Sequence, residues 1–338
     1  MPITWVAGFP HTVGGAGGEC WHAVQLWKRY GVDVRFIPTW AAADSEWIVR
    51  IENAGFPVVN CASSKSLTSV PDLPGSTVVA FCNDRATSSF AILRSLGCKI
   101  VYCPLMCSVR ESEKPGYRQA FPDTIVFQSS YQRSKLEPQF AHYGYTPDRG
   151  ALIHGGISYW DMEFRPRPRV SGQPFVVGRM ARASFDKWHR GLWKMYERIP
   201  NRRAIVQGVN SMVRAYLGPT PVWGTTLEPN SIPQEPFYRM LHAYVTINGS
   251  VDENWPAVGR EAMAYGVPVV AEDAFGWKEM IVHGETGLLG NSPEEIGDLA
   301  ASLAADEPLR LKLVRQARDH LERMLDPEAL WAQWTEIL

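Results

Sequence analysis

The feature that most constrains this chain is an alternation of β-branched strands and helices that runs once, breaks at a proline-rich stretch, and starts again. The first run opens with "ITWVAGF", passes through glycines into "ECWHAVQLWKRYG", and returns with "VDVRFIP". Trp21, Val24, Leu26 and Trp27 put apolar weight on a helix that Gly31 stops. A strand, helix and strand joined this way form a right-handed parallel crossover. "STVVAFC", "TSSFAILRSLG" and "CKIVYCP" repeat the unit, and "DTIVFQS" and "GALIHGG" add two strands. The stretch "FRPRPRVSGQP" (164–174) then reads as an extended linker, because proline serves neither helix interiors nor sheet ladders. After it come "PFVVGR", "RGLWKMYERI", "RAIVQG", "PFYRMLHAY", "AYVTING", a helix starting at Pro256, "VPVVAED" and a helical tail. The pattern predicts an α/β chain of two doubly wound parallel-sheet domains facing a cleft, with ligands expected outside the carboxyl ends of the strands.

The 338 residues suit two domains of roughly 150 residues each. A hydrophobic content of 45% with 20% charged residues describes a soluble globular protein. The net charge of -1 provides no global basic field, which argues against nucleic acid as the main partner. The opening "MPITWVAGFPHTVGGAGGEC" has no basic leader region, and no apolar run is long enough to span a bilayer, so a cytoplasmic location is expected. All six cysteines lie in the first third, and the C-x3-C pair at 103 and 107 has no partner pair. Buried reduced thiols are expected, not a zinc site.

Three motifs carry chemistry. "GGAGG" (14–18) lies between a strand and a helix, where backbone amides can cradle a phosphate, although a tight turn would use the same glycines. A dinucleotide site would also want an acid at the end of the second strand, where this chain has Ile37, Pro38 and Thr39. In "VVGRMARASFDKWHRGLWKMY", Arg179, Arg182, Lys187 and Arg190 crowd the loop after a first strand. That position favours an anionic ligand, since guanidinium forks pair with phosphate oxygens. A solvated basic loop paired through Asp186 is the other reading. In "DENWPAVGREAMAYGVPVVAED" (252–273), Pro256 suits the first helical position, Glu253 precedes the helix and Glu261 lies inside it. At 1.5 Å per residue, Glu261 is roughly 7–8 Å along the axis from Pro256. That spacing fits a ligand with a diphosphate at the helix tip and a sugar beside each carboxylate, because a carboxylate accepts from a vicinal diol.

These residues resemble the retaining glycosyltransferases of the GT-B fold, family 4 (group 1) in particular. The likeness is best over 175–320, through Arg179 to Lys187, "ENWPAVGRE", "AMAYGVPVVA" and "WKEMIVHGETGLL". It is looser in the first half, through "GGAGGE", "YGVDV", "FQSSYQRSKL" and "HGGIS". The resemblance implies a Rossmann-like acceptor domain (1–165), a linker (166–174), a Rossmann-like nucleotide-sugar donor domain (175–320) and a final helix (321–338) that crosses back. Carried over residue by residue, it implies that Arg179 and Lys187 hold the donor diphosphate, with Arg182 beside them. Glu261 accepts from the ribose hydroxyls and Glu253 faces the transferred sugar. Gly17 or Gly18 lets backbone approach the phosphates, and residues 254–258, with Trp255, Ala257 and Val258, lend backbone amides. Glu253, Arg179 and Lys187 are the catalytic candidates. A nucleoside-diphosphate sugar is the co-substrate, with no further cofactor and no metal expected, and transfer retains the anomeric configuration.

Three departures from the family pattern stand out, one being a short first domain that limits any extended membrane-docking surface. Pro256 replaces the usual glycine, and the histidine common after the "IVY"-type strand is missing. His11 or Asp84 are the acceptor-side candidates in its place. A nucleotide-sugar 2-epimerase and a non-catalytic nucleotide-sugar binding protein are the rival readings. The sequence names neither the acceptor nor the oligomeric state.

Overall fold

The strand-forming runs assemble into two all-parallel, six-stranded sheets. The computed structural model describes residues 3–7, 15–38 and 45–338. In the first sheet the strands are β1 (Thr4–Ala7), β2 (Val34–Ile37), β3 (Thr77–Phe81), β4 (Lys99–Cys103), β5 (Thr124–Phe127) and β6 (Gly150–Leu152), in the order β2-β1-β3-β4-β5-β6. In the second they are β7 (Phe175–Met180), β8 (Arg202–Gln207), β9 (Gly224–Leu227), β10 (Ala243–Val245), β11 (Val269–Glu272) and β12 (Leu288–Gly290), in the order β12-β11-β10-β7-β8-β9. Helices cover both faces of such sheets, which is why "TVVAF" and "FVVGRM" are apolar almost throughout and nearly all buried.

Numbered from its own first strand, the second sheet has the Rossmann order 3-2-1-4-5-6, with its topological switch point between β7 and β10. The first sheet reads 2-1-3-4-5-6, a flavodoxin-like order extended by one strand, with the switch between β1 and β3. The sequence reading called both domains Rossmann-like. Hydrophobic runs locate strands but do not say on which side of β1 the third one docks.

The chain divides into two units, 1–156 with 325–338, and 157–324. The expected linker at 166–174 lies inside the second of these units, held there by bonds to backbone and side chains of residues 163–167. Arg310 Nη2 donates to Arg167 O at 2.8 Å, Arg239 Nη2 meets Glu163 at 2.7 Å, and Arg165 N donates to Tyr265 O at 3.3 Å. This stretch is extended, and these bonds tie it to the second unit along its length.

In the first unit, the helix Gly15–Arg29 buries Cys20, Ala23, Val24, Leu26 and Trp27 and ends in Lys28 and Arg29, charges that suit a helix C-terminus. Gly31, at φ 82°, then turns the chain left-handed. The closing helix Pro327–Thr335, capped by Asp326, packs on this one: Trp331 stacks on Tyr30 with centroids 5.1 Å apart, and Trp334 meets Trp27 edge-on at 4.8 Å. The core behind β3 to β5 is aromatic, with Tyr117 touching Tyr102, Phe121, Phe140 and Tyr143. Cys20, Cys61, Cys98 and Cys103 are buried free thiols, and Cys82 and Cys107 are half-buried ones. In the second unit Val177, Trp188, Val206, Val245, Ile296 and Leu313 form one core. Among the described residues, no helix is long and apolar enough to cross a membrane.

Candidate active site

The second unit's site lies at its switch point, where the loops after β7 and β10 leave the carboxyl edge of neighbouring strands. Arg179 is the penultimate residue of β7 and is only 2% exposed. Its Nη1 donates to Ile247 O at 2.6 Å, its Nη2 donates to Lys187 O at 2.7 Å, and its guanidinium lies 4.6 Å from the Trp188 ring. The resemblance implies that this side chain, with Lys187, holds a diphosphate. In the structure it ties the two loops together by spending N–H groups on a carbonyl from each.

A second tie is steric. Asp186 O accepts from Ser250 N at 2.9 Å and Val251 N at 3.2 Å, so one loop's backbone lies flat on the other's. A Cβ on Gly249 would lie 2.4 Å from Asp186 O and 2.8 Å from Trp188 O, so only glycine fits. These ties deliver Lys187 to Glu253: Nζ lies 2.6 Å from Oε1, with the two side chains 17% and 18% exposed. The other two cations of the loop point elsewhere. Arg182 is half-exposed with Asp186 at 3.9 Å, and Arg190 lies over the Tyr216 ring at 4.8 Å.

The backbone after Glu253 is supported from below. Gly276 N donates to Glu253 O at 2.8 Å, and a Cβ on Gly276 would collide with Asn254 O at 1.5 Å. The helix that follows is Ala257–Tyr265, with Pro256 as its N-cap. Pro256 was expected one position later, at the first helical residue; its ψ of 113° is extended, so the helix begins at Ala257. The first-turn amides of a helix have no partner inside it, and here Ala257 and Val258 stand half-buried at that tip. Trp255 is buried, with its carbonyl accepting from Arg260 Nη2 at 3.3 Å.

One turn in, Glu261 is 7% exposed and held from both sides. Gln234 Nε2 donates to Oε1 at 2.9 Å, and the Tyr238 hydroxyl donates to Oε2 at 2.8 Å. Gln234 and Tyr238 are four apart on the helix Gln234–Arg239 and so share a face. Burial, with the Glu261 charge next in weight, holds the Tyr238 phenol well above its ordinary range, which keeps it a donor. Two carboxylates eight residues apart are thus fixed on either side of one helix start, one salt-bridged and one cradled.

Sequence reasoning missed several of these parts. Gly249 sits inside "NGS", and Gly276 in an ordinary-looking turn; a backbone pressed against another backbone leaves no local signal. Glu272 ends β11 beside this site and was not singled out. Burial raises its pKa and Asp252 adds to the rise, against a bond from the Asn248 amide. Arg179 Nε, Ser184 Oγ, Asn248 Nδ2 and Glu272 Oε2 are buried along this edge with no hydrogen-bond partner among the described residues. Buried polar atoms of that kind call for a polar ligand or water. Among the described residues, no group of three or more His, Cys, Asp or Glu is placed to hold a metal ion.

The first-unit candidates lie on other elements. Gly17 and Gly18 fall inside the first turn of the helix Gly15–Arg29, not in a loop before it. Gly18 has nothing within 4 Å of where a Cβ would stand, so no described neighbour requires it to be glycine. Asp84 opens the short helix Asp84–Thr87 after β3, capped by Asn83. His11 lies outside the described residues.

Residues 231–320, the segment holding Glu253 and Glu261, match the family described as glycosyl transferases group 1. The chain is 32% identical over 91 residues to the glycosyltransferase 1 domain-containing protein 1 of Xenopus tropicalis, covering 27% of this chain and 26% of that one. It is 31% identical over 226 residues to the D-inositol 3-phosphate glycosyltransferase of Corynebacterium aurimucosum, covering 60% and 53%. The chain thus spans from about a quarter to about half the length of these curated relatives. Anabaena HepE, solved in complex with UDP and glucose, superposes with a TM-score of 0.76 at 17% identity, covering 99% of this chain and 98% of that one. At that identity the likeness establishes the fold, and the fold is GT-B.

Proposed function

We propose that this chain is a glycosyltransferase that moves a sugar from a nucleoside-diphosphate sugar to a hydroxyl acceptor, retaining the anomeric configuration and using no metal ion. The observation that carries the reading is the Lys187–Glu253 pair at the switch point, one turn from the cradled Glu261. The pair supplies a cation for phosphate and a carboxylate for a sugar hydroxyl.

In this reading Lys187 exchanges Glu253 for the donor's diphosphate, and the amides at Ala257 and Val258 face the same phosphates. A helix tip and an ammonium aimed at developing negative charge typically lower a barrier by a few kcal/mol each. Arg179 acts from behind, holding the Lys187 carbonyl so that the lysine keeps its position. Glu261 has its two oxygens oriented by Gln234 and Tyr238, and it accepts from ribose hydroxyls. Glu253, released from Lys187, accepts from the transferred sugar. The bond from the anomeric carbon to the diphosphate oxygen breaks, and the bond to the acceptor oxygen forms on the same face. The acceptor's proton passes to the departing phosphate.

UDP is the first nucleotide to test, because it is what the Anabaena protein was solved with. Calorimetry with UDP, GDP and ADP names the base. Incubation with the corresponding nucleotide sugar should release nucleoside diphosphate only when an acceptor is present. Conversion of the donor's sugar to its 2-epimer without acceptor would overturn the transferase reading in favour of an epimerase.

A further inference from the structure

The segment after β9 leads into the helix that brings Gln234 and Tyr238 to Glu261, and a side chain of the neighbouring strand binds that segment to the sheet. Gln207 is the last residue of β8 and is 1% exposed. Its Nε2 donates to Ile232 O at 2.9 Å, and its Oε1 accepts from Ile232 N at 2.9 Å. One amide thus pairs with both backbone groups of a single residue, as a further strand would. Nε2 also meets Met180 Sδ at 3.1 Å. Turning the amide over would set its oxygen against a carbonyl and a thioether, neither of which donates, so one orientation is fixed. The other bonds of 228–233 stay near the surface. Ser231 N and Oγ donate to Glu228 O at 3.3 and 2.8 Å, and the exposed Glu228 meets Arg214 at 3.8 Å.

Pro233, next to Ile232, is the N-cap of the helix Gln234–Arg239. The two donors this helix gives to Glu261 differ in their support. Tyr238 is fully buried, stacks on Tyr265 at 5.5 Å and meets the Phe237 and Tyr244 rings, so packing keeps its hydroxyl on Oε2. Gln234 is exposed and stands two residues from Ile232. Its flexible side chain holds Oε1 at 2.9 Å only while the backbone beneath it stays in place, since a hydrogen bond weakens steeply as its geometry opens.

We propose that Gln207 is a positioning residue for ribose recognition: through Ile232 it keeps Gln234 on Glu261, and so fixes the direction in which that carboxylate meets the ribose hydroxyls of a bound nucleotide. This rests on the nucleoside-diphosphate-sugar reading above.

Gln207→Met in the full chain is the test. Methionine fills the place of the amide without donating, and its sulfur accepts only weakly. Ile232 is half-buried, so water can serve its N–H and C=O and the variant should fold. Calorimetry with UDP, 2′-deoxy-UDP and inorganic pyrophosphate compares unaltered protein, Gln207→Met, Gln234→Ala, Glu261→Gln and the Gln207→Met/Glu261→Gln double variant. Unaltered protein should prefer UDP over 2′-deoxy-UDP by about tenfold and Gln207→Met by about threefold or less, with pyrophosphate affinity held within about twofold. In the Glu261→Gln background Gln207→Met should narrow the preference no further, because the two residues act on one contact. Gln234 is exposed, so Gln234→Ala provides a folded comparison if Gln207→Met unfolds, and it should show the same narrowing. The proposal fails if either single variant keeps the full preference. It also fails if Gln207→Met weakens UDP, 2′-deoxy-UDP and pyrophosphate alike, as loss of a merely structural contact would. A preference present in unaltered protein and unmoved by both variants removes this inference alone. UDP binding without any preference removes the ribose from Glu261 as well, and missing UDP binding removes the transferase reading with it.

Discussion

Lys187 Nζ and Glu253 Oε1 lie 2.6 Å apart although the residues are 66 positions apart in sequence, and both side chains are more than four-fifths buried. In such a pair each partner holds the place of a ligand group. A phosphate arriving at Lys187 has to displace a carboxylate already there. Glu253→Gln removes the competing charge but keeps the shape, so UDP should bind as tightly as before or more tightly, while sugar transfer falls. Lys187→Ala should weaken UDP by about tenfold to a hundredfold, or about 1.4–3 kcal/mol, and also destabilise the unit by leaving Glu253 without its partner. Calorimetry on both variants separates the two. UDP binding equally weak in Glu253→Gln would mean that the acid contributes to the phosphate site.

Glu261 carries a sharper expectation, because Gln234 and Tyr238 fix the direction of its carboxylate. Unaltered protein should bind UDP more tightly than 2′-deoxy-UDP, by about tenfold for one charge-assisted hydrogen bond. In Glu261→Gln that preference should shrink to near unity. Competition binding with the two nucleotides measures it. An undiminished preference in the variant would take the ribose away from Glu261.

The glycines of the two loops test the scaffold without touching any proposed ligand group. Gly249→Ala places a methyl 2.4 Å from Asp186 O, and backbone cannot yield as a flexible side chain does. Overpacking of this kind costs about 1–3 kcal/mol, and the 186–188 loop, with Lys187 on it, has to shift. Denaturant unfolding should register the first effect and UDP calorimetry a loss of at least tenfold in affinity. Normal UDP binding by a destabilised Gly249→Ala protein would show that the loop contact serves stability alone.

The strands and the paired glutamates were legible because both are periodic or local signals. A β-branched run marks a strand, and an acid eight residues after another across a helix start marks a tip. What stayed hidden was set by contacts between distant segments. Arg179 reads as a phosphate ligand from its place at the end of "VVGR"; that it also donates to Ile247 O and Lys187 O is something the sequence does not announce, because nothing in it marks a carbonyl. Gln234 and Tyr238 were invisible for the same reason: their meaning comes from a carboxylate 27 and 23 residues on. The first-unit sheet order was hidden too, since strand composition does not encode which edge is taken.

His242 gives a pH expectation independent of the site. It is buried beside β7, where Nδ1 accepts from Val176 N at 2.8 Å, so that nitrogen carries no proton in the folded chain. Nε2 faces Pro168 O at 3.3 Å, Phe175 stacks on the ring at 5.2 Å, and Arg310 Nη1 reaches the residue's own carbonyl at 3.2 Å. Burial first, then the Arg167 charge, lowers its pKa from 6.5 to about 4; Arg310 adds to this and Glu307 opposes it. The unfolded chain takes up the proton near 6.5 and the folded chain only near 4. The stability contribution is therefore complete above about pH 6.5 and is lost as pH falls from there to about 4. One pKa unit corresponds to 1.36 kcal/mol, so the full loss is about 3 kcal/mol, and about 2 kcal/mol is gone between pH 7.5 and 5. In His242→Gln the amide oxygen can accept from Val176 N without titrating. Urea unfolding at the two pH values should show the unaltered protein losing about 2 kcal/mol more than the variant. Equal losses in the two proteins would place the acid sensitivity on other groups.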